Sequence, residues 1–242
     1  MTENVIFGWN VVMEALHAGN RLNRLFVAQD SKVRQLPVVL EAAKAAGVQV
    51  ERVPVAKLNH LTQTREHQGL AAILSPLAYM DLAQFLLECP AKALVIALDH
   101  VQNPRNVGMI IRSAAAAGSD AVLLSAKGGA VIDEQVLKAS AGAAFRVPIV
   151  LDNNLMSALG ALREADFWLY GLDAEGRDDV FGVKWPTRVV LVMGNETKGL
   201  RPAVRKACDA LVRIPLANGV ESLNAAVAAG IALYQARTVK NG

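Results

Sequence analysis

The chain has 242 residues, of which 53% are hydrophobic and 19% are charged, so it carries enough apolar material for a folded core and is not extensively disordered. Its formal net charge of +3 is compatible with a polyanionic partner but is much weaker than that of a histone-like binder. Cys89 and Cys208 are too few and too isolated to indicate a disulfide framework or a zinc site, so no metal is expected.

The sequence also lacks the patterns of an exported or membrane-embedded protein. No stretch of about 18 residues is free of charged and turn-forming residues, and the N-terminus has no basic region followed by an apolar one. We therefore expect a cytoplasmic protein that has no membrane partner.

Residues 1–76 are predicted to form a small α/β unit that ends at Ser75-Pro76. The pattern of apolar residues predicts two helices and three strands: helices Trp9–Ala18 and Pro37–Ala46, and strands Arg24–Gln29, Val48–Pro54 and Gly69–Leu74. The polar stretch before the last strand is given no element. Residues 77–90 are predicted to be a linker with one short amphipathic helix that carries Leu82, Phe85 and Leu86.

Residues 91–242 are predicted to form a second, larger α/β unit. Short segments that are apolar at every position alternate with alanine-rich helical stretches such as Asn106–Gly118, and this alternation is typical of parallel strands buried on both faces. The predicted strands are Ala93–Asp99, Ala121–Ser125, Val147–Leu151, Phe167–Leu172, Arg188–Met193 and Ala210–Leu216. A loop, Ala217–Glu221, then leads to a terminal helix from about Ser222 to Val239, with Ser222 as its N-cap.

Two common nucleotide-binding loops are absent from the sequence. No two glycines are separated by a single residue, so the G-x-G core of a Rossmann cofactor loop is missing. The segment from Gly194 to Gly199 resembles a phosphate loop only superficially, because Leu200 stands where that loop requires lysine.

Three loops at the ends of predicted strands carry polar residues, and ligands of open α/β sheets bind beyond the carboxyl ends of strands. The first loop starts a helix at Asn103-Pro104, on which Arg105, Gly108 and Arg112 share one face and Gly108 would permit a close approach. The second carries Glu196 and the third carries Ser222 and Asn224. Simpler interpretations remain open for each, namely a solvated Arg112, a first-turn acid at Glu196 and a capping Ser222.

The order of these motifs resembles the SpoU family of RNA 2′-O-ribose methyltransferases. The matching patterns are N-P-x-N-x-G-x-x-x-R-x-A from Asn103, V-M-G-N-E-x-x-G from Val192 and I-P followed by S-L-N-x-A-x-A from Ile214. The resemblance implies a SPOUT catalytic domain with a parallel sheet and a trefoil knot. It also implies a preceding L30e-like RNA-binding domain, whose ends look like Phe7-Gly8 and His67-Gln68-Gly69-Leu70-Ala71.

The resemblance further implies a site that binds S-adenosylmethionine and uses no metal. The cofactor-binding residues would be Met193, Gly194, Ile214, Leu216 and Leu223, and the catalytic residues would be Arg112, Asn106, Glu196, Ser222 and Asn224. Arginine is a poor base because its guanidinium stays protonated above about pH 12. Our hypothesis is that Arg112 binds a phosphate and stabilises the developing alkoxide, aided by Glu196.

The implied activity is methylation of a ribose 2′-hydroxyl, on a guanosine of 23S rRNA or its precursor, by a homodimer. Two alternatives stay open: a transfer-RNA or resistance-type rRNA 2′-O-methyltransferase, and a non-catalytic RNA-binding factor of ribosome assembly. Arg105 and Asn195 stand at positions that vary among family members, and we expect neither to bear on the site. Candidate RNA-binding residues are scattered along the chain: Arg21, Arg24, Lys32, Arg34, Arg65 and Lys127.

Overall fold

The computed structural model describes residues 5–17, 22–31, 35–74, 77–129 and 131–238, which form two β-sheets with helices packed against them. Three of the candidate RNA-binding residues, Arg21, Lys32 and Arg34, lie outside the described residues. Within the described ranges, no helix combines the length and the apolar character needed to cross a membrane.

The first sheet has four strands in the order β1-β4-β2-β3, with β2 and β3 parallel and the other pairs antiparallel. Its unit runs β1 (Val5–Phe7), α1 (Trp9–His17), β2 (Leu22–Ala28), α2 (Leu36–Ala45), β3 (Gln49–Val53), α3 (Val55–Thr62) and β4 (Leu70–Leu74). The sequence did not predict β1 or α3. Helix α3 buries only Leu58 and Thr62, so its apolar periodicity is weak.

The second sheet has seven strands in the order β7-β6-β5-β10-β8-β11-β9, and all neighbouring strands are parallel. The elements are α4 (Leu82–Glu88), β5 (Ala93–Leu98), α5 (Pro104–Ala117), β6 (Ala121–Ser125), α6 (Glu134–Ala139), a 3-10 turn (Ala143–Phe145), β7 (Ile149–Asp152), α7 (Leu155–Glu164), β8 (Trp168–Leu172), β9 (Asp178–Asp179), β10 (Arg188–Met193), α8 (Pro202–Ala207), β11 (Ala210–Arg213) and α9 (Ala225–Ala236). The predicted architecture, a parallel-sheet α/β domain after a small α/β domain, is confirmed.

The central strands β5, β6 and β10 of this sheet are buried on both faces, as their apolar pattern predicted. In β5, Leu94 and Ile96 belong to the core under α5 and α9, whereas Val95 and Ala97 belong to the core under α7. Successive side chains of a strand point to opposite faces, so a strand between two helical layers needs an apolar residue at every position.

The segment predicted to be a linker is packed against the second sheet. The backbone N–H of Met80 donates to the carbonyl of Ile149 at 2.9 Å, which covers the β7 edge of the sheet. Helix α4 follows and buries Leu82 and Phe85 in the core on the α7 side. This part of the predicted linker is therefore packed as part of the second unit.

The end of the chain differs from the prediction. Helix α9 begins at Ala225, and its cap is Asn224, whose Oδ1 accepts from the backbone N–H groups of Ala226 at 2.9 Å and Val227 at 3.3 Å. The prediction that Ser222 caps this helix is therefore wrong. Strand β11 ends at Arg213 rather than at Leu216, in keeping with Pro215, which has no N–H to donate to a neighbouring strand.

Gly108 permits a close approach, as predicted, but what approaches it is another helix. A Cβ at this position of α5 would lie 2.5 Å from Cβ of Ala139 and 2.6 Å from the carbonyl oxygen of Val136, both on α6. Because backbone cannot retreat as easily as the end of a long side chain, any larger residue would push α5 and α6 apart.

We expect Gly108→Ala to lower the free energy of unfolding by about 1–3 kcal/mol through this overpacking. Gly160→Ala in α7 is the matched control, because a Cβ there meets nothing within 4 Å. The control should raise the free energy of unfolding by about 0.5–1 kcal/mol through helix propensity alone. Urea denaturation measures both, and equal effects of the two substitutions would contradict the packing argument.

Candidate functional site

A cavity of about 560 Å³ opens at the carboxyl ends of β8, β10 and β11. Its walls include four of the five predicted cofactor-binding residues: Met193, Ile214, Leu216 and Leu223. Charged side chains lie at its rim, where the Arg205 guanidinium donates to Asp173 at 2.8 Å and to Glu175 at 2.9 Å. A mostly apolar slot with a few polar groups at one end is typical of small-molecule sites.

Gly194, the fifth predicted cofactor-binding residue, is buried beneath the loop and is not part of the cavity wall. A Cβ on Gly194 would lie 2.5 Å from the carbonyl oxygen of Gly199, because residues 195–199 fold back over it. That fold is closed by two backbone hydrogen bonds between Asn195 and Gly199, at 3.0 and 2.9 Å. Glycine is thus needed here for the path of the backbone.

The Glu196 carboxylate binds the start of α5. Its Oε1 accepts from the backbone N–H of Asn103 and from Nδ2 of Asn106, both at 3.1 Å, and its Oε2 accepts from the N–H of Gln102 at 3.4 Å. Partial burial, the largest single influence, raises the pKa of Glu196, but the hydrogen bonds from its own backbone, Asn106, Asn103 and Gln102 together outweigh it. The net pKa is below that of a free glutamate, so Glu196 is ionised at neutral pH.

A chain of amide groups extends this network to the third loop. Nδ2 of Asn224 donates to Oδ1 of Asn106 at 3.0 Å, and Asn106 in turn donates to Glu196. Asn106 is only 7% exposed, so both ends of its amide need partners inside the protein. Three predicted catalytic residues from three separate loops therefore meet, although their catalytic roles stay a prediction.

The other two predicted catalytic residues lie apart from this network. Ser222 is exposed in the cavity wall. Arg112 is exposed on α5, about 9 Å along the helix from Asn106, and makes no hydrogen bond or salt bridge to a residue that the structure describes. The structure does not bring Arg112 to the cavity of its own chain.

Asp99, which is not among the residues predicted from sequence, is fully buried at the end of β5. Its carboxylate accepts from the backbone N–H of Arg201 at 2.9 Å and from Nε of Arg201 at 2.6 Å, and it lies 3.2 Å from Nδ1 of His100. Asp99 therefore fixes the first loop to the end of the second. A charged residue directly after six buried strand residues was the available signal.

The prediction that Asn195 does not bear on the site is wrong, as its contacts show. Its Nδ2 donates to the carbonyl of His100 at 2.9 Å and to Oε2 of Glu196 at 3.3 Å, while its Oδ1 accepts from the N–H groups of Thr197 and Lys198. Asn195 thus shapes the loop that presents Glu196. Arg105 is exposed at the start of α5, and its backbone N–H donates to the Asn103 cap.

The remaining candidates for RNA binding are separate from the cavity wall. Arg24 lies 3.7 Å from Glu51 in an exposed ion pair, and Arg65 and Lys127 are exposed in loops. Among the described residues, no group of three or more histidine, cysteine or acidic side chains is placed to hold a metal ion.

Comparisons with known proteins match both units. The model of the SpoU rRNA Methylase family matches residues 93–234, and the model for RNA 2′-O ribose methyltransferase substrate binding matches residues 5–80. A Staphylococcus aureus protein assigned to the TrmH family of tRNA/rRNA methyltransferases is 33% identical over 238 residues, which are 97% of this chain and 96% of that protein.

Two solved structures are similar over nearly the whole chain. The AdoMet-bound rRNA methyltransferase of Sinorhizobium meliloti is 29% identical, with a TM-score of 0.81 over 98% of this chain and 87% of that one. The SpoU methyltransferase AviRb of Streptomyces viridochromogenes, in complex with AdoMet, is 26% identical, with a TM-score of 0.82 over 99% of this chain and 91% of that one.

The lowered pKa of Glu196 predicts a pH-dependent loss of stability in Glu196→Gln. A group whose pKa is lowered by folding stabilises the protein above its unfolded pKa of about 4.3, and this contribution disappears as the pH falls through the folded value. The variant should therefore unfold more easily than the wild type at pH 7, and the difference should shrink below about pH 4.5. Denaturant titrations from pH 7 to pH 3 measure this difference in the free energy of unfolding.

Glu164→Gln is the control, because this exposed side chain on α7 has no hydrogen-bond partner among the described residues. It should change stability little at any pH. A Glu196→Gln difference that is constant from pH 7 to pH 3 would contradict the interpretation.

Proposed function

The chain belongs to the SpoU rRNA methylase family, and on this premise we propose that it transfers a methyl group from S-adenosylmethionine to a ribose 2′-hydroxyl of structured RNA. The observation that carries the proposal is the cavity whose wall includes Glu196, the residue that Asn106 and, through it, Asn224 hold by hydrogen bonds. The family match over residues 5–80 supports ribose of RNA as the acceptor.

The cavity suits S-adenosylmethionine in size and chemistry. Its volume of about 560 Å³ is in the usual range for cofactor sites, and Met193, Ile214, Leu216 and Leu223 offer apolar walls for an adenine ring. The Asp173–Arg205 pair and Lys198 at the rim offer polar partners for the amino-acid end. When bound, the cofactor supplies an electrophilic methyl group on a sulfonium centre.

We assign Glu196 a positioning role rather than that of a general base. Its lowered pKa makes it a weak proton acceptor at neutral pH, and its oxygens already accept from Asn103, Asn106 and Gln102. A displacement at a methyl group depends chiefly on holding the attacking oxygen in line. Glu196 serves that geometry by holding the second loop against the start of α5.

Arg112 is proposed to bind the phosphate beside the target ribose and to stabilise the developing alkoxide. A guanidinium presents paired N–H donors that match phosphate oxygens, and Arg112 has no described partner that would compete for them. Since Arg112 is not part of its own cavity wall, it would act on the cavity of a second protomer.

A homodimer would supply that second protomer. Helices α5 and α9 lie on the same face of the sheet, and each exposes large apolar side chains: Met109 (45%), Val227 (45%) and Tyr234 (47%). Exposed apolar surface on neighbouring helices favours association with another protein surface. An isologous dimer through this face places both copies of α5 near the interface.

For the RNA we propose a guanosine of 23S rRNA. The support is the match of residues 5–80 to a ribose methyltransferase substrate-binding domain, together with the rRNA methyltransferase of Sinorhizobium meliloti among the similar structures. The Staphylococcus aureus relative is described for both tRNA and rRNA, so transfer RNA is the second candidate.

Transfer of a radioactive methyl group to 23S rRNA and to tRNA transcripts tests the function and the substrate together. We expect label in 23S rRNA, with a reverse-transcription stop at low nucleotide concentration marking one guanosine. Label in tRNA alone would overturn the rRNA assignment and leave the methyltransferase intact. No label in either RNA, with no S-adenosylmethionine binding by calorimetry, would instead favour a non-catalytic RNA-binding protein.

Arg112→Lys should lower kcat about 100-fold, because lysine keeps the charge but cannot form the paired hydrogen bonds. Arg163→Lys is the control, since Arg163 lies on α7, on the opposite face of the sheet from α5. Sedimentation should first show a dimer of 25.8 kDa chains. Near-normal turnover of Arg112→Lys would refute its role, and a monomer at assay concentration would refute the shared site.

A further inference from the structure

The two units of the chain meet at an interface between helix α1 and the segment that runs from α6 to the 3-10 turn. On the α1 side, the Glu14 carboxylate accepts from Nε and from Nη2 of Arg146, the latter at 2.9 Å. Hydrogen bonding to Glu14, and then its negative charge, raise the pKa of the Arg146 guanidinium. A paired hydrogen bond of this kind fixes orientation as well as distance.

At the same interface, the backbone of Gly142 lies so close to Cβ and Cγ of Glu14 that there is no room for a side chain. A Cβ on Gly142 would lie 2.8 Å from Cγ of Glu14 and 3.5 Å from Cα of Val11, and Gly142 has a positive φ of 82°. The turn therefore approaches α1 more closely than any other residue type would allow.

A second contact lies on α6. Nζ of Lys138 is 3.1 Å from Oε2 of Glu66, in the loop before β4, and 5.0 Å from the centre of the Phe7 ring on β1. The same short helix packs on α5 through Gly108, where a Cβ would meet Ala139 at 2.5 Å. Helix α6 thus touches the N-terminal unit on one side and, on the other, the helix that carries Asn106 and Arg112.

We propose that this interface between the N-terminal unit and the segment from α6 to the 3-10 turn holds the RNA-binding unit in one orientation relative to α5, and that Glu14 and Arg146 are positioning residues for the RNA substrate. The inference rests on the proposed function for its RNA. Contacts between domains of one chain ordinarily permit relative motion, and exposed ion pairs contribute little individually. The contact of Gly142 with α1 brings the two surfaces close together, and the ion pair between Glu14 and Arg146 favours one orientation of these surfaces.

Charge reversal tests the ion pair and leaves Gly142 itself unchanged. Glu14→Arg and Arg146→Glu each place like charges across the interface, and the double exchange restores opposite charges. Arg146→Gln removes the attraction without adding repulsion and serves as the milder variant. Glu164→Arg makes the same charge change on α7, on the opposite face of the sheet, and is the matched control.

We expect each reversal to increase the radius of gyration in small-angle scattering and to lower kcat on long RNA at least about tenfold, because misplaced reactants lose rate steeply. Arg146→Gln should act in the same direction and less strongly, and the double exchange should restore both values. S-adenosylmethionine binding by calorimetry should stay unchanged in all variants, because neither residue lies at the cavity.

The proposal would be overturned if both single reversals kept the radius of gyration and the kcat of the wild type. It would also be overturned if the double exchange restored neither of these two values. Altered scattering with unchanged kcat would overturn the positioning role. The scattering comparison needs no activity, whereas methyl transfer by the wild type tests the proposed function itself. A failure of the interface proposal is thus distinguishable from a failure of the proposed function.

Discussion

The site depends on one series of hydrogen bonds whose donor and acceptor directions are fixed. Asn224 caps α9 with its oxygen, so only its nitrogen is left for Asn106. Asn106 must then accept from Asn224 and can donate only toward Glu196, which stays ionised to accept. An amide has distinct donor and acceptor ends, so the cap of one helix determines the orientation of a buried side chain on another. Three loops are held in place by that sequence of bonds.

A second set of contacts that holds the loops together lies at Asp99. Because this carboxylate is fully buried, it needs charged and hydrogen-bonded partners, and the Arg201 backbone and guanidinium supply them. Helix α5 then connects the site with the rest of the chain. It holds Asn106 inside, packs on α6 through Gly108 and exposes Arg112. The residues proposed to position the substrate and the residues proposed to act in catalysis are therefore connected through one helix.

Much of the fold was predictable from local pattern. Strands such as β5, β6 and β10 are apolar at nearly every position because helices cover both of their faces, and the predicted bounds differ little from those observed. Helix α3 was missed because it buries only two residues, and β9 because a two-residue strand has no pattern of its own. The wrong cap at Ser222 has a similar origin, since serine and asparagine cap helices about equally well.

By itself the sequence determined which loops form the site, because strand ends with polar residues are visible in one dimension and the motifs of the family identify them. The sequence could not determine which side chains meet. Asp99 and Arg201 are 102 residues apart, and Asn106 and Asn224 are 118 apart, so their pairing depends on the order of strands in the sheet. Tertiary structure alone placed Arg112 outside its own cavity and filled the space beside Gly108 with a helix, because side-chain direction and close packing arise only between elements distant in sequence.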